Sequence, residues 1–165
     1  LAELIGFARV FHREVHFDNK SMDKKGPEVS TSVKAIERSI QLALRDAGCT
    51  ADDVDHVNAH ATSRQHADAR EAQAIRNTLG DVPVTAIKSY FGNLGAGSGT
   101  IELAASIMGM QAGIIPPTLN FETQDPACPV NVIAGESRAT QKPVFLKLSQ
   151  SSTGQAAALV LRKWE

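Results

Sequence analysis

Residues 2 to 15 mix apolar and polar positions in partial alternation. Leu4, Ile5, Phe7, Val10, Phe11 and Val15 fall among β-forming neighbours and predict a strand reaching roughly to Arg13. Residues 16 to 29 turn polar and breaker-rich, with Asp18, Asn19, Lys20, Asp23, Lys24, Lys25, Gly26 and Pro27, and predict a surface loop. The period then becomes helical. Val33, Ile36, Ile40, Ala43, Leu44 and Ala47 recur on one face, Ser30-Thr31-Ser32 offers capping hydroxyls, and Gly48 supplies the stop.

Residues 51 to 53 open a turn, and Val54 to Ala59 forms a short run ending at His60, the pattern of a buried strand that delivers the histidine at its carboxyl end. Ala67 to Leu79 is helical by propensity, with Ala72, Ile75 and Leu79 on one face, and Gly80-Asp81 ends it. Val82 to Ile87 predicts the next strand and Lys88 to Leu94 a loop. Gly95 to Gln111 predicts a helix that is small or apolar almost all round, which belongs in the middle of a fold. Pro116-Pro117 starts an extended segment, and Asp125-Pro126 and Cys128-Pro129 mark a loop before Val130 to Ile133. Pro143 to Leu148 and Ala156 to Leu161 predict a closing hairpin joined by Ser149 to Gln155. Strands alternating with helices and ending in an antiparallel pair indicate an α/β domain, a mixed five-stranded sheet covered by helices.

The chain has 165 residues, 42% of them hydrophobic and 21% charged, enough for one substantial core spanning residues 1–165. Seventeen basic against eighteen acidic side chains leave a net charge of -1, and aromatics are 5%, so neither a nucleic-acid surface nor a stacking platform is expected. No apolar run approaches the roughly 18 residues a membrane span requires, and the start lacks a leader pattern, so the expectation is a soluble, cytoplasmic protein. The chain begins at Leu1, without an initiator Met and inside a strand-like run, which points to a piece of a longer polypeptide. Cys49 follows a helix end and Cys128 lies between Pro126 and Pro129. Neither has a base nearby in sequence or a helix start to activate it, and no disulfide is required.

Candidate chemistry concentrates in two loops, Asn58-Ala59-His60-Ala61-Thr62-Ser63 and Lys88-Ser89-Tyr90-Phe91-Gly92-Asn93-Leu94-Gly95-Ala96-Gly97-Ser98-Gly99. Each follows a short apolar run and precedes a helical stretch, a placement that brings His60 and Asn93 to strand ends facing one pocket as two hydrogen-bond donors. The glycines lack the G-K-[ST] ending of a phosphate loop and the spacing of a dinucleotide fingerprint. His56, His60 and His66 do not form a metal set, because residues four apart share a face only on a helix and residues 54 to 59 read as strand. No metal and no cofactor are expected.

These loops resemble those of the β-ketoacyl-acyl-carrier-protein synthases, the condensing enzymes of fatty acid and polyketide synthesis, where they read N-x-H-G-T-S and K-S-x-x-G-H-x-x-G-A-x-G. The resemblance makes this chain the C-terminal, thiolase-like half of such an enzyme; the N-terminal half, with its nucleophilic cysteine, has no counterpart here. It implies that His60 and Asn93 stabilise the negative charge that develops on a malonyl thioester during decarboxylation. It also implies that Lys88 sits beneath the site paired with an acidic group, with Glu71 the matching acid and Asp68 in a structural, capping role. Thr62 and Ser63 would bond either the first amides of the next helix or the pantetheine arm of the substrate. Implied partners are the chain's own N-terminal half, an acyl carrier protein with its pantetheine thioester, and a second subunit in a homodimer or heterodimer.

Three departures stand out. Asn93 occupies a position that is usually histidine; an amide donates but does not titrate, and a Cys-His-Asn set serves the related initiating synthases. Ala61 replaces a glycine, a change that strains the backbone wherever φ is positive. The closing G-F-G-G-T-N loop reads Ser151-Ser152-Thr153-Gly154-Gln155-Ala156, so Ser152 stands for the gating phenylalanine while its amide still offers an oxyanion donor. Two functions follow: an active, divergent condensing enzyme, or a noncatalytic subunit of the chain-length-factor kind. A thiolase would carry a C-x-G cysteine near the end, and residues 149 to 155 contain none.

Overall fold

A computed structural model describes residues 2–16 and 28–164, so most of the predicted loop at 16–29 lies outside the described residues. In chain order the elements are β1 (Ala2–Phe11), β2 (Arg13–His16), β3 (Glu28–Thr31), α1 (Val33–Ala47), β4 (Val54–Asn58), α2 (Gln65–Leu79), β5 (Pro83–Thr85), α3 (Lys88–Phe91), α4 (Ser98–Ala112), β6 (Ile114–Ile115), β7 (Asn131–Val132), β8 (Arg138–Ala139), β9 (Val144–Gln150) and β10 (Gln155–Lys163). The main sheet has six strands in the order β1-β10-β9-β4-β5-β7, one more than expected. Its extra edge is β7, two residues long and parallel to β5, too short for any alternation to register. β4, β5, β7 and β9 run parallel, while β10 and β1 close the other side antiparallel. The one-turn α3, where a loop was expected, and the short pairs β2–β3 and β6–β8 also went unanticipated.

Local chemistry explains the long elements. Ser32 caps α1, its Oγ accepting the Ala35 amide at 3.1 Å, and Gly48 ends the helix in the left-handed region at φ 63°. The apolar face of α1 packs with Ala74, Ile75 and Leu79 of α2 against Val57, Leu146, Leu148, Ala158 and Val160 of the sheet. At Gly6 in β1 the helix comes so close that a Cβ would lie 2.3 Å from the Ala43 carbonyl oxygen.

The opposite face of the sheet carries α4, with Met110 against Phe145 and Leu161. This helix buries a stripe of polar and small residues, Ser98, Glu102, Ser106 and Gly109, and leaves Ile101 41% and Met108 68% exposed. The pattern inverts that of a surface helix. A central position was expected for it; within the described residues only one side is covered. No helix among those residues is long and apolar enough to cross a membrane.

Candidate active site

The carboxyl ends of the parallel strands converge at one edge of the sheet. His60 follows β4, Asn93 follows β5 by way of α3, and the β9–β10 turn arrives beside them. This edge is where open α/β sheets place their ligands, because strand ends and the loops that follow leave a crevice there.

Two carboxylates from α2 set the backbone of the histidine loop. Glu71 accepts the His60 amide through Oε1 and the Ala61 amide through Oε2, both at 2.8 Å, and Asp68 accepts the Thr62 amide at 3.0 Å. Burial raises the pKa of each carboxyl, and the amide bonds pull the other way. Held in this way, Ala61 adopts φ 34° and Ser63 φ 59°. The alanine is therefore strained, and Ala61→Gly should stabilise the protein by about 1 kcal/mol, read as a higher denaturant midpoint at unchanged m-value. An equal or lower midpoint would mean that the methyl contacts outweigh the strain.

Lys88 does lie beneath the histidine, but its acidic partner is Glu102 rather than Glu71, whose two oxygens are already engaged by amides. Lys88 Nζ sits 2.6 Å from Glu102 Oε1, donates to the His60 carbonyl oxygen at 2.6 Å and stands 3.2 Å from His60 Nδ1. Lys147 approaches the other oxygen of the same carboxylate at 2.5 Å. All three side chains are almost wholly buried, between 2% and 6% exposed.

This arrangement decides the tautomer of His60. An ammonium only donates, so Nδ1 accepts from Lys88 and the ring proton resides on Nε2. Burial, followed by the charges of Lys88 and Lys147, pushes the imidazole pKa down to about 3. At neutral pH the ring is an uncharged N–H donor.

Asn93 is oriented by a similar argument. The Gly95 amide donates to its Oδ1 at 3.0 Å and the Ser98 hydroxyl at 3.2 Å; a backbone N–H faces an acceptor, so the NH2 end remains as the donor. His60 and Asn93 line the same cavity of about 680 Å³, together with Thr62, Lys147 and Ser152. Ser63 borders a second cavity behind the histidine loop, which Thr62 also lines. The N-cap position of α2 is Arg64, without a side-chain cap bond, and Asp68, expected in a structural, capping role, accepts amides of the loop just before the helix.

His56 and His66 lie away from the cavity that His60 and Asn93 share, whereas Cys128 borders the second cavity with Ser63. His56 is buried, stacked on Phe145 with ring centroids 5.2 Å apart and with Nδ1 3.0 Å from Asp55, and His66 is exposed on α2. Burial and the neighbouring acids, Asp125 foremost, push the Cys128 thiol up, away from nucleophilic use.

Glu102 and Lys147 were missed in the sequence, although each left a signal. Glu102 is the one charged residue in the small and apolar run of α4, and Lys147 interrupts the apolar run Val144-Phe145-Leu146. Isolated charges in buried segments must pair, and these pair with each other.

The family model described as "Beta-ketoacyl synthase, C-terminal domain" matches residues 8–122, well over half of the chain. The chain belongs to the β-ketoacyl synthase family. A 3-oxoacyl-[acyl-carrier-protein] synthase 2 from Synechocystis is 36% identical over 136 residues, covering 80% of this chain and 33% of that protein. The crystal structure of a β-ketoacyl synthase from Burkholderia phymatum superposes with a TM-score of 0.81 at 31% identity, over 99% of this chain and 38% of the other. A type II polyketide synthase structure, an acyl-carrier protein in complex with its ketosynthase bound to the hexaketide, gives a TM-score of 0.82 at 28% identity, over 99% of this chain and 39% of that one. The chain thus spans about a third of the length of the synthases it matches, and its fold is the thiolase-like half that carries the two loops.

Proposed function

We propose that this domain is the decarboxylating half of a 3-oxoacyl-[acyl-carrier-protein] synthase of fatty acid or polyketide synthesis, working in the cytoplasm with an N-terminal half that supplies the cysteine. The observation that carries the reading is the shared cavity. His60, its Nε2 proton fixed by Lys88, and Asn93, its amide oriented by Gly95, both offer donors to it.

In the reaction the bond between the malonyl α-carbon and its carboxylate breaks, CO2 leaves, and the electron pair passes into an enolate whose oxygen takes the negative charge. Two preorganised donors lower the energy of that charge where it forms. The enolate carbon then attacks the acyl thioester on the cysteine, and the thiolate departs. The Ser152 amide in the β9–β10 turn is the proposed donor for that second step, and Thr62 and Ser63 are proposed contacts for the pantetheine arm. Acyl carrier protein is the proposed donor of both thioesters, which the polyketide ketosynthase complexed with its carrier protein supports, and a homodimer or heterodimer is the proposed working assembly.

The deciding experiment incubates the complete polypeptide with malonyl-carrier thioester and follows CO2 and acetyl thioester. Absence of both would remove the proposal. It would favour the second reading, a noncatalytic chain-length-factor-like subunit, for which the observation is the replacement of the gating phenylalanine by Ser152. Asn93→His exchanges one donor for another, so decarboxylation should stay within about tenfold of the parent. A collapse would show that the site requires a donor that never charges.

A further inference from the structure

We propose that Lys147 is a positioning residue for this site: its ammonium is a tethered cation seated in an oxygen cradle, and by gripping Glu102 it holds Lys88 against the imidazole of His60. The inference rests on the decarboxylase reading for its kinetic consequence only.

The geometry is complete without any bound ligand. An ammonium has three N–H groups, and Lys147 Nζ has three oxygens around it: Glu102 Oε2 at 2.5 Å, the Leu148 carbonyl at 2.6 Å and the Ala59 carbonyl at 3.3 Å. These come from α4, from β9 and from the end of β4. One cation therefore ties the helix to the two strands immediately behind His60. With its donors committed, Lys147 does not act as a nucleophile. Its effect passes through Glu102, whose two oxygens are divided between Lys147 and Lys88, and through Ala59, the residue before the histidine.

Two lysines flank the Glu102 carboxylate beneath the imidazole, and Glu71 acts on Lys147 from the other side of the loop. Burial lowers the Lys147 pKa, and the charge and hydrogen bond of Glu102 oppose that shift.

Lys147 also lines the cavity, so truncating it opens the cradle to small solutes. In the complete polypeptide, Lys147→Ala should lower the kcat of malonyl decarboxylation about tenfold to a hundredfold, with KM little changed, because the loss is one of alignment. Methylammonium, which replaces the missing end of the side chain, should restore both kcat and melting temperature saturably. Tetramethylammonium at equal ionic strength has no N–H and should restore neither.

An unchanged kcat, or equal effects of the two amines, overturns the proposal. If the parent shows no decarboxylation, the functional reading fails by itself. The melting temperatures then still decide, a rise specific to methylammonium supporting the cradle and an equal response to both amines refuting it. Lys147→Met preserves volume where alanine does not fold. It should lose melting temperature, because Glu102 Oε2 and the Ala59 and Leu148 carbonyls lose their donor. Parent-like melting of Lys147→Met would refute the cradle.

Discussion

His60→Ala should abolish most of the proposed malonyl decarboxylation, by about a hundredfold or more, and leave the fold intact. The fold survives because what secures the loop is backbone: Glu71 and the Lys88 ammonium bind the His60 amide and carbonyl, which alanine retains. What disappears is the Nε2–H donor. Circular dichroism and melting should match the parent while CO2 release falls; unchanged release would remove His60 from the mechanism. The same donor predicts a pH profile. The ring pKa lies at about 3 in the folded protein, below its ordinary value of 6.5, so the ring binds its extra proton less readily folded than unfolded. Stability from this group is fully present above 6.5 and diminishes as pH falls from there toward 3. Decarboxylation should accordingly show no histidine limb between about pH 5 and about pH 8. An inflection near 6.5 would mean that the ring titrates normally and that the ammonium groups do not act on it.

Glu102→Gln should cost about 3–5 kcal/mol of unfolding free energy. The carboxylate is the common counter-ion of Lys88 and Lys147, at 2.6 and 2.5 Å. Replacing it by a neutral amide of the same shape leaves two buried ammonium groups facing each other. The energetic penalty is mainly that of uncompensated buried charge, since a buried ion pair compared with apolar groups is often no more stabilising. Denaturant unfolding of the complete polypeptide measures it, and a loss below about 1 kcal/mol would show that solvent reaches the cluster. Destabilisation here and catalytic loss at His60 are separable effects, one lodged in the layer below the cavity and the other at its surface.

The condition of the site bears on the choice between enzyme and subunit. The cluster of Lys88, Glu102 and Lys147 and the amide clamp of Glu71 and Asp68 are costly to bury, and they converge on the loop that carries His60. A scaffold that used only its outer surface would have no physical need for an N–H donor aimed into a cavity. The third departure lies in the β9–β10 turn, where Ser151 Oγ accepts the Thr153 and Gln155 amides and Thr31 donates to the Ser151 and Gln155 carbonyls. That turn is well tied, so losing the phenylalanine changes the side chain at the cavity rim rather than the backbone path. The exposed apolar residues of α4, together with Phe7 and Phe11 of β1, fit the proposed N-terminal half as their cover.

Periodicity and punctuation, which act over a few residues, determined α1 with its Ser32 cap and Gly48 stop, the strand leading to His60, the β9–β10 hairpin and the placement of both loops at strand ends. The resemblance of the two loops to those of the β-ketoacyl synthases, rather than periodicity, gave His60 and Asn93 their roles as the donor pair. The tertiary structure alone decided the rest. β7 exists because β5 offers it an edge, not because two residues favour a strand. Lys88 chose Glu102 over Glu71 because α4 crosses behind β4 and brings its single carboxylate within 3 Å, and Lys147 joined them from β9, 45 residues away from Glu102 in sequence. Pairing of buried charges is a through-space requirement, and linear spacing holds no record of which distant strand and helix will share a layer.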